Sequence, residues 1–241
     1  MQKQECVLPC TPKGIIKMLK ADKWNYVTIQ QASPGSWNYE TYRPHADILI
    51  ATIKKYAPQA EILIQQTWSY CNHDLRVGTR EKPKWGFDRE GMYKRLTDCY
   101  RRLGKEFGLR IIPTGYAIEL YRKRLPVTYA PVYISEQIKY CPAESKFDDL
   151  VGTVRWKKYT DRDGTVKGFR PHGDSIHLNR SGEFLQSCVW SAFIFPDVDI
   201  TELKYIPGPS KEEKTDATPM QYKLMLKCAA DAVRSFAADE K

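Results

Sequence analysis

Residues 54–66 read KKYAPQAEILIQQ, and this stretch decides the fold. A helix end carrying Lys54 and Lys55 runs into Pro58, which cannot continue a helix. Glu61 to Gln66 then forms a short apolar run, too brief for a helix and of the length of a buried strand. A helix that feeds a strand across a short connection is half of a repeating α/β unit.

The same unit recurs on both sides. Upstream, Thr11 and Pro12 mark a helix start, with Ile15, Ile16 and Leu19 on one face. Trp24 to Gln31 (WNYVTIQQ) is rich in β-branched and aromatic residues and predicts a strand, followed by the loop SPGS at 33–36. Ala46, Leu49, Ile50 and Ile53 then recur at helical spacing between about Thr41 and Ala57. Downstream, Met92, Leu96, Cys99 and Leu103 define a helix over Arg89–Phe107 that Gly108 caps. Leu109 to Pro113 predicts a third strand, and Thr114 to Arg124 another helix. Short strands alternating with helices imply a parallel sheet covered on both faces. Function in such sheets gathers in loops beyond the carboxyl ends of the strands, here 31–38, 67–88 and 114–116.

The rest of the chain is less regular. Residues 67–88 are long and irregular and hold Trp68, Tyr70, His73 and Trp85. Residues 125–170 read as an insertion, with a hairpin expected around Val154 to Val166 and a turn at Asp163 and Gly164. HGDSIHLN at 172–179 precedes a helix over Ser181–Phe195. Residues 196–217 form a lysine-rich linker to a last helix that Thr218, Pro219 and Gln221 open as a capping box, with Met225, Ala229, Val233 and Phe236 facing inward. The expected organisation is one α/β domain over 1–195, the linker, and a helix within 218–241 that packs back on the domain.

The chain has 241 residues, a net charge of +9 and a mean hydropathy of -0.55. No apolar run is long enough to span a bilayer, and Met1 to Pro12 lack the pattern of a signal peptide. The basic residues are dispersed: Arg101, Arg102 and Lys105 suit a solvated helix face, and Arg122, Lys123 and Arg124 a helix C-terminus. Without a nucleic-acid motif, no nucleic-acid partner is expected. The seven cysteines form no C-x-x-C pair; Cys6 and Cys10 lack a matching second pair, and Cys99, Cys188 and Cys228 fall on apolar stripes.

Asp174 and His177 stand three apart just ahead of a helix. An aspartate so placed can hold an imidazole in one tautomer and stabilise the imidazolium formed when it accepts a proton. The same spacing also suits a turn in which Asp174 caps backbone amides and His177 satisfies a carbonyl. With His172 the pattern becomes H-x-D-x-x-H, but no fourth ligand is evident, so neither a metal nor another cofactor is expected. Gln30, Gln31 and Ser33, at the end of the first strand, could donate to an oxyanion or bond loop backbone. Trp37, Trp68 and Tyr70 follow strand ends and could stack on a sugar or fill the core.

Taken together, KWNYVTIQQAS (23–33), KKYAPQAEILIQQTWSY (54–70), GLRIIPTGYA (108–117) and DSIHLNRSGEFLQSCVW (174–190) resemble a branch of unknown-function domains in the SGNH (GDSL-like) hydrolase superfamily. The resemblance implies a flavodoxin-like three-layer α/β sandwich and a Ser-His-Asp esterase in which His177 is the general base and Asp174 its orienter. It implies an oxyanion or substrate-binding stretch at Gln30, Gln31 and Ser33; Trp68 and Tyr70, from their place after a strand end, are the further substrate-binding candidates. The substrate would be a small-molecule or carbohydrate ester, and relatives of this kind are often exported. The family opens with a strand ending in a GDS- or GNS-like turn, and none precedes Trp24. The expectation is therefore a chain lacking the first two strands and the nucleophile, hydrolysing esters weakly or not at all. Its strand at 24–31 should show an unpaired edge, with Val27 and Ile29 under-covered. The alternative is a non-catalytic carbohydrate-binding remnant using Trp37, Trp68 and Tyr70.

Overall fold

The computed structural model describes residues 12–72, 74–78, 83–125, 149–153, 155–204 and 217–236. Thr11, His73, the first two cysteines, most of the 125–170 insertion and most of the 196–217 linker lie outside the described residues, as does the side chain of His172.

Helix α1 (Pro12–Leu19) leads to β1 (Tyr26–Ile29), two short 3-10 turns, and α2 (His45–Tyr56). Strand β2 (Glu61–Gln65) follows, then α3 (Arg89–Phe107), β3 (Arg110–Ile112) and α4 (Thr114–Arg124). A hairpin of β4 (Arg155–Thr160) and β5 (Val166–His172) precedes α5 (Arg180–Ile194) and α6 (Pro219–Phe236). The three parallel strands lie in the order β1-β2-β3, with Val27 opposite Ile62 and Ile64 opposite Ile111. The hairpin forms its own antiparallel pair, with the expected turn carried by Asp163 and Gly164.

Strand side chains alternate between faces, and the core divides accordingly. Ile29, Ile62, Ile64 and Ile111 pack with residues of α1, α2 and α3 on one face. Leu63 and Ile112 pack with α4, α5 and α6 on the other. The domain is thus a three-layer α/β sandwich. Helix α3 starts on Asp88, whose side chain accepts from the amide of Gly91, and ends at Gly108 with φ +65°, a left-handed conformation that glycine adopts without steric cost.

One expectation needs correction. Among the described residues β1 pairs only with β2, so its outer edge is open, but Ile29 is buried and Val27 half-buried. Helices α2 and α3 cover that face of the strand, whereas the core beneath α4–α6 contains no β1 residue, and Tyr26 and Thr28 on that side are exposed. Arg122 stands in the last turn of α4, as expected of a helix C-terminus, and its guanidinium is buried between Glu119 and Asp149.

Candidate active site

The turn joining β5 to α5 carries Asp174 and His177, and one carboxylate shapes it. Asp174 Oδ1 accepts from the amides of Ile176 at 2.8 Å and His177 at 2.6 Å, while Oδ2 lies 2.7 Å from His177 Nδ1. The backbone bonds fix the turn, and the turn brings the ring onto the second oxygen. Partial burial pushes the Asp174 carboxyl up, but the bonds from His177 and the two amides prevail and hold it below the ordinary carboxylate value. His177 is 75% exposed at its side chain, and its Nε2 makes no hydrogen bond among the described residues.

Two distant segments cradle this turn. The first leaves the carboxyl end of β2, which places the pair beyond that end of the sheet. Trp68 Nε1 donates to Ile176 O at 2.8 Å, Cys71 N to Ser175 O at 3.1 Å, and Ser175 Oγ to Asp74 Oδ2 at 2.6 Å. The second is 149–153. Gly152 N donates to His177 O at 2.7 Å, Thr153 N to Asp174 O at 2.9 Å, and Val151 bridges Leu178. Gly152 has φ +85°, and a Cβ there would stand 2.6 Å from Asp174 O, so only glycine lets these backbones approach. Asn179 closes the turn and caps α5 through the amide of Gly182.

Asp74 is buried and held by Arg76, with Nε on Oδ1 at 2.8 Å and Nη2 on Oδ2 at 2.5 Å. Burial pushes its carboxyl up, but the bonds from Arg76 and Ser175 bring it below the ordinary value. The Arg76 guanidinium stacks on Tyr70 at 4.4 Å and Trp85 at 5.4 Å.

The other anticipated residues divide. Ser33 Oγ lies 3.2 Å from Tyr70 OH, so the loop after β1 touches the segment that holds the dyad. Tyr70 itself is fully buried, and its ring offers no surface for a sugar. Trp68 spends its indole N–H on Ile176 and packs against the α4–α6 core. Gln31 spends its amide on Thr41 O, Thr41 Oγ1 and the amide of Ala32, which leaves none of it for an oxyanion. Gln30 is exposed and lines a shallow groove with Ile29, His45 and Leu49. Neither glutamine bonds to the 174–177 turn. Asp74, Arg76, Gly152 and Ser175 were not anticipated. Asp74 and Arg76 form a local pair visible in sequence, but their link to Ser175 spans 101 residues and leaves no local signal. Among the described residues no group of three His, Cys, Asp or Glu side chains is arranged for a metal.

Fold and site define a three-layer α/β domain with an aspartate–histidine pair beyond the carboxyl end of its parallel sheet. The chain belongs to the DUF4886 family, a domain of unknown function whose model matches residues 5–127, just over half of the chain. A solved DUF4886 family protein from Bacteroides uniformis ATCC 8492 is similar to it, with 22% identity and a TM-score of 0.59 over 91% of this chain and 66% of that one. This chain therefore spans just under two thirds of that relative's length, and the likeness shows the fold. A possible lipase from Chitinophaga pinensis DSM 2588 shares 10% identity at a TM-score of 0.31, over 94% of this chain and 80% of that one. No curated protein matches the chain. Among the described residues, no helix is long and apolar enough to cross a membrane.

Proposed function

We propose that the Asp174–His177 pair is the base and orienter of an SGNH-type ester hydrolase acting by acyl transfer on a small-molecule or carbohydrate ester. One observation carries this: a carboxylate 2.7 Å from Nδ1 of an exposed imidazole, on a turn beyond the carboxyl end of a parallel sheet. Asp174 holds the proton on Nδ1, so Nε2 is the basic nitrogen, and the ring's exposure leaves it open to a hydroxyl and a substrate. Its role is to take the proton of an attacking serine and return it to the leaving alcohol. Ser33 is the candidate hydroxyl within the described residues, because its partner Tyr70 adjoins the segment that holds the dyad.

A second function class rests on a different feature. Trp37 and Trp85 are half-buried and stand 5.3 Å apart, so the exposed parts of this aromatic pair could serve a non-catalytic carbohydrate-binding protein. Trp68 and Tyr70 contribute no face to it.

Hydrolysis of an aryl acetate separates these. If a serine of this chain serves His177, Ser33→Ala and His177→Ala each lower kcat/KM by about 10³-fold or more. If none does, the rate sits near background and His177→Ala changes little, because triad members act as a unit. A robust rate that survives His177→Ala refutes the role given to His177. A background rate together with sugar-induced quenching of tryptophan fluorescence, lost in Trp37→Ala, supports the binding protein instead.

A further inference from the structure

Beneath the cradle lies a buried ionic group that the proposed chemistry does not use. Arg122 places Nη1 on Glu119 Oε1 at 2.6 Å and on Ser69 Oγ at 2.8 Å. Its Nε and Nη2 each bond Asp149 at 3.0 Å, and the carbonyls of Ser69 and Tyr70 stand at 3.4 and 3.5 Å. Arg89 reaches Glu119 from α3 at 2.6 Å and bonds Asn72 Oδ1 at 3.1 Å. Two guanidiniums thus meet two carboxylates out of water. Such groups add little stability over apolar residues of similar volume, because desolvation offsets the attraction. What apolar residues cannot supply is directed bonds to several chain segments at once.

The segments bonded here are the two that hold the dyad. Ser69 and Tyr70 belong to the stretch whose Trp68 and Cys71 grip Ile176 and Ser175. Asp149 opens the stretch whose Gly152 and Thr153 grip His177 and Asp174, and its own carboxylate accepts the amide of Val151. Among the described residues, the exposed His177 ring belongs to neither core cluster. We propose that Arg122 is the positioning residue of the site: it fixes 69–70 against 149–152 and so sets the width of the cradle in which Asp174 meets His177. The proposal rests on the assigned pairing of Asp174 with His177, and Arg122 touches no reacting atom.

The test is nitrogen NMR of histidine-labelled protein, which reads the share of His177 carrying its proton on Nδ1 without requiring activity. Asp174→Asn sets the scale. Arg122→Lys keeps a charge but loses the planar fork, and Asp149→Asn weakens one arm while Glu119 and Ser69 stay bound. Each is expected to move the His177 signals by at least about half of the Asp174→Asn change, with helix content retained, and to speed amide exchange at Cys71 and Gly152 by about tenfold. Folded variants with wild-type His177 signals and wild-type exchange overturn the positioning role. Should Arg122→Lys fail to fold, Asp149→Asn decides alone. Should Asp174→Asn itself leave the signals unmoved, the dyad fails as such, and exchange at Cys71 and Gly152 still decides whether Arg122 holds the cradle.

Discussion

Replacing Asn179 by alanine removes three contacts at one joint. Its Oδ1 accepts from Gly182 N at 3.1 Å, and its Nδ2 donates to Asp149 O at 2.6 Å and Gly152 O at 3.2 Å. Loss of the N-cap costs about 1 kcal/mol. Each carbonyl that loses its donor adds roughly 0.5–1.5 kcal/mol, so Asn179→Ala should destabilise by about 2–4 kcal/mol. Two further variants separate the parts. Asn179→Ser keeps a cap and loses both donors, so it should recover about 1 kcal/mol over alanine. Asn179→Asp also keeps the cap, but turns a carboxylate oxygen toward two carbonyls, so it should be no better than serine despite the favourable helix end. Urea unfolding followed by circular dichroism gives these differences as midpoint shifts at constant slope. An aspartate variant as stable as wild type would refute the donor role of Asn179. So would an alanine variant losing only the value of a cap.

Gly152→Ala should cost about 1–3 kcal/mol by thermal unfolding, since it forces a side chain onto φ +85° with a Cβ 2.6 Å from Asp174 O. Near-wild-type stability would show that 149–153 does not lie against the turn. Burial pushes the Glu119 carboxyl up, but Arg122 and Arg89 pull it down further, so its folded value lies below the ordinary 4.5. A group so depressed contributes stability in full above its unfolded value, and that contribution is lost as pH falls through the folded value. Urea midpoints between about pH 5 and 3 should therefore fall on acidification, and Glu119→Gln should flatten the fall while lowering stability at neutral pH.

Much of the fold was legible because its signals are local. The apolar periodicity and terminal glycine of Arg89–Phe107 place α3 as observed. The strands are shorter than their composition suggests, because pairing ends where the neighbour ends: only Leu63, Ile64 and Gln65 find partners on β3. The Asp174–His177 spacing could be read, since a turn is a local object. Its surroundings could not. Trp68 and Ile176 are 108 residues apart, and nothing near Tyr70 reveals that its ring is covered on every side. The burial of Arg122 was hidden for the same reason. The Glu119 partner at i−3 is local, but Asp149, Ser69 and the depth of the pocket come from elsewhere.

The cradle also ties the site to the order in which the chain can fold. The contacts that tie the Asp174–His177 turn to the segment after β2 close loops of 101 to 108 residues, whereas the β1–β2 and β2–β3 pairings and the α1–α3 layer on one face need only the first half of the chain, α5 and α6 being added to the other face later. Loop closure of this length is an entropic cost met before any contact rewards it. A chain emerging from the ribosome can therefore pair the three strands under α1–α3 while it has no site, and the site forms only when the stretch through Asn179 arrives. The same asymmetry holds in reverse: mild denaturant should release the exposed turn while the sheet still stands, so loss of the His177 pairing is an early reporter of unfolding at this end of the molecule.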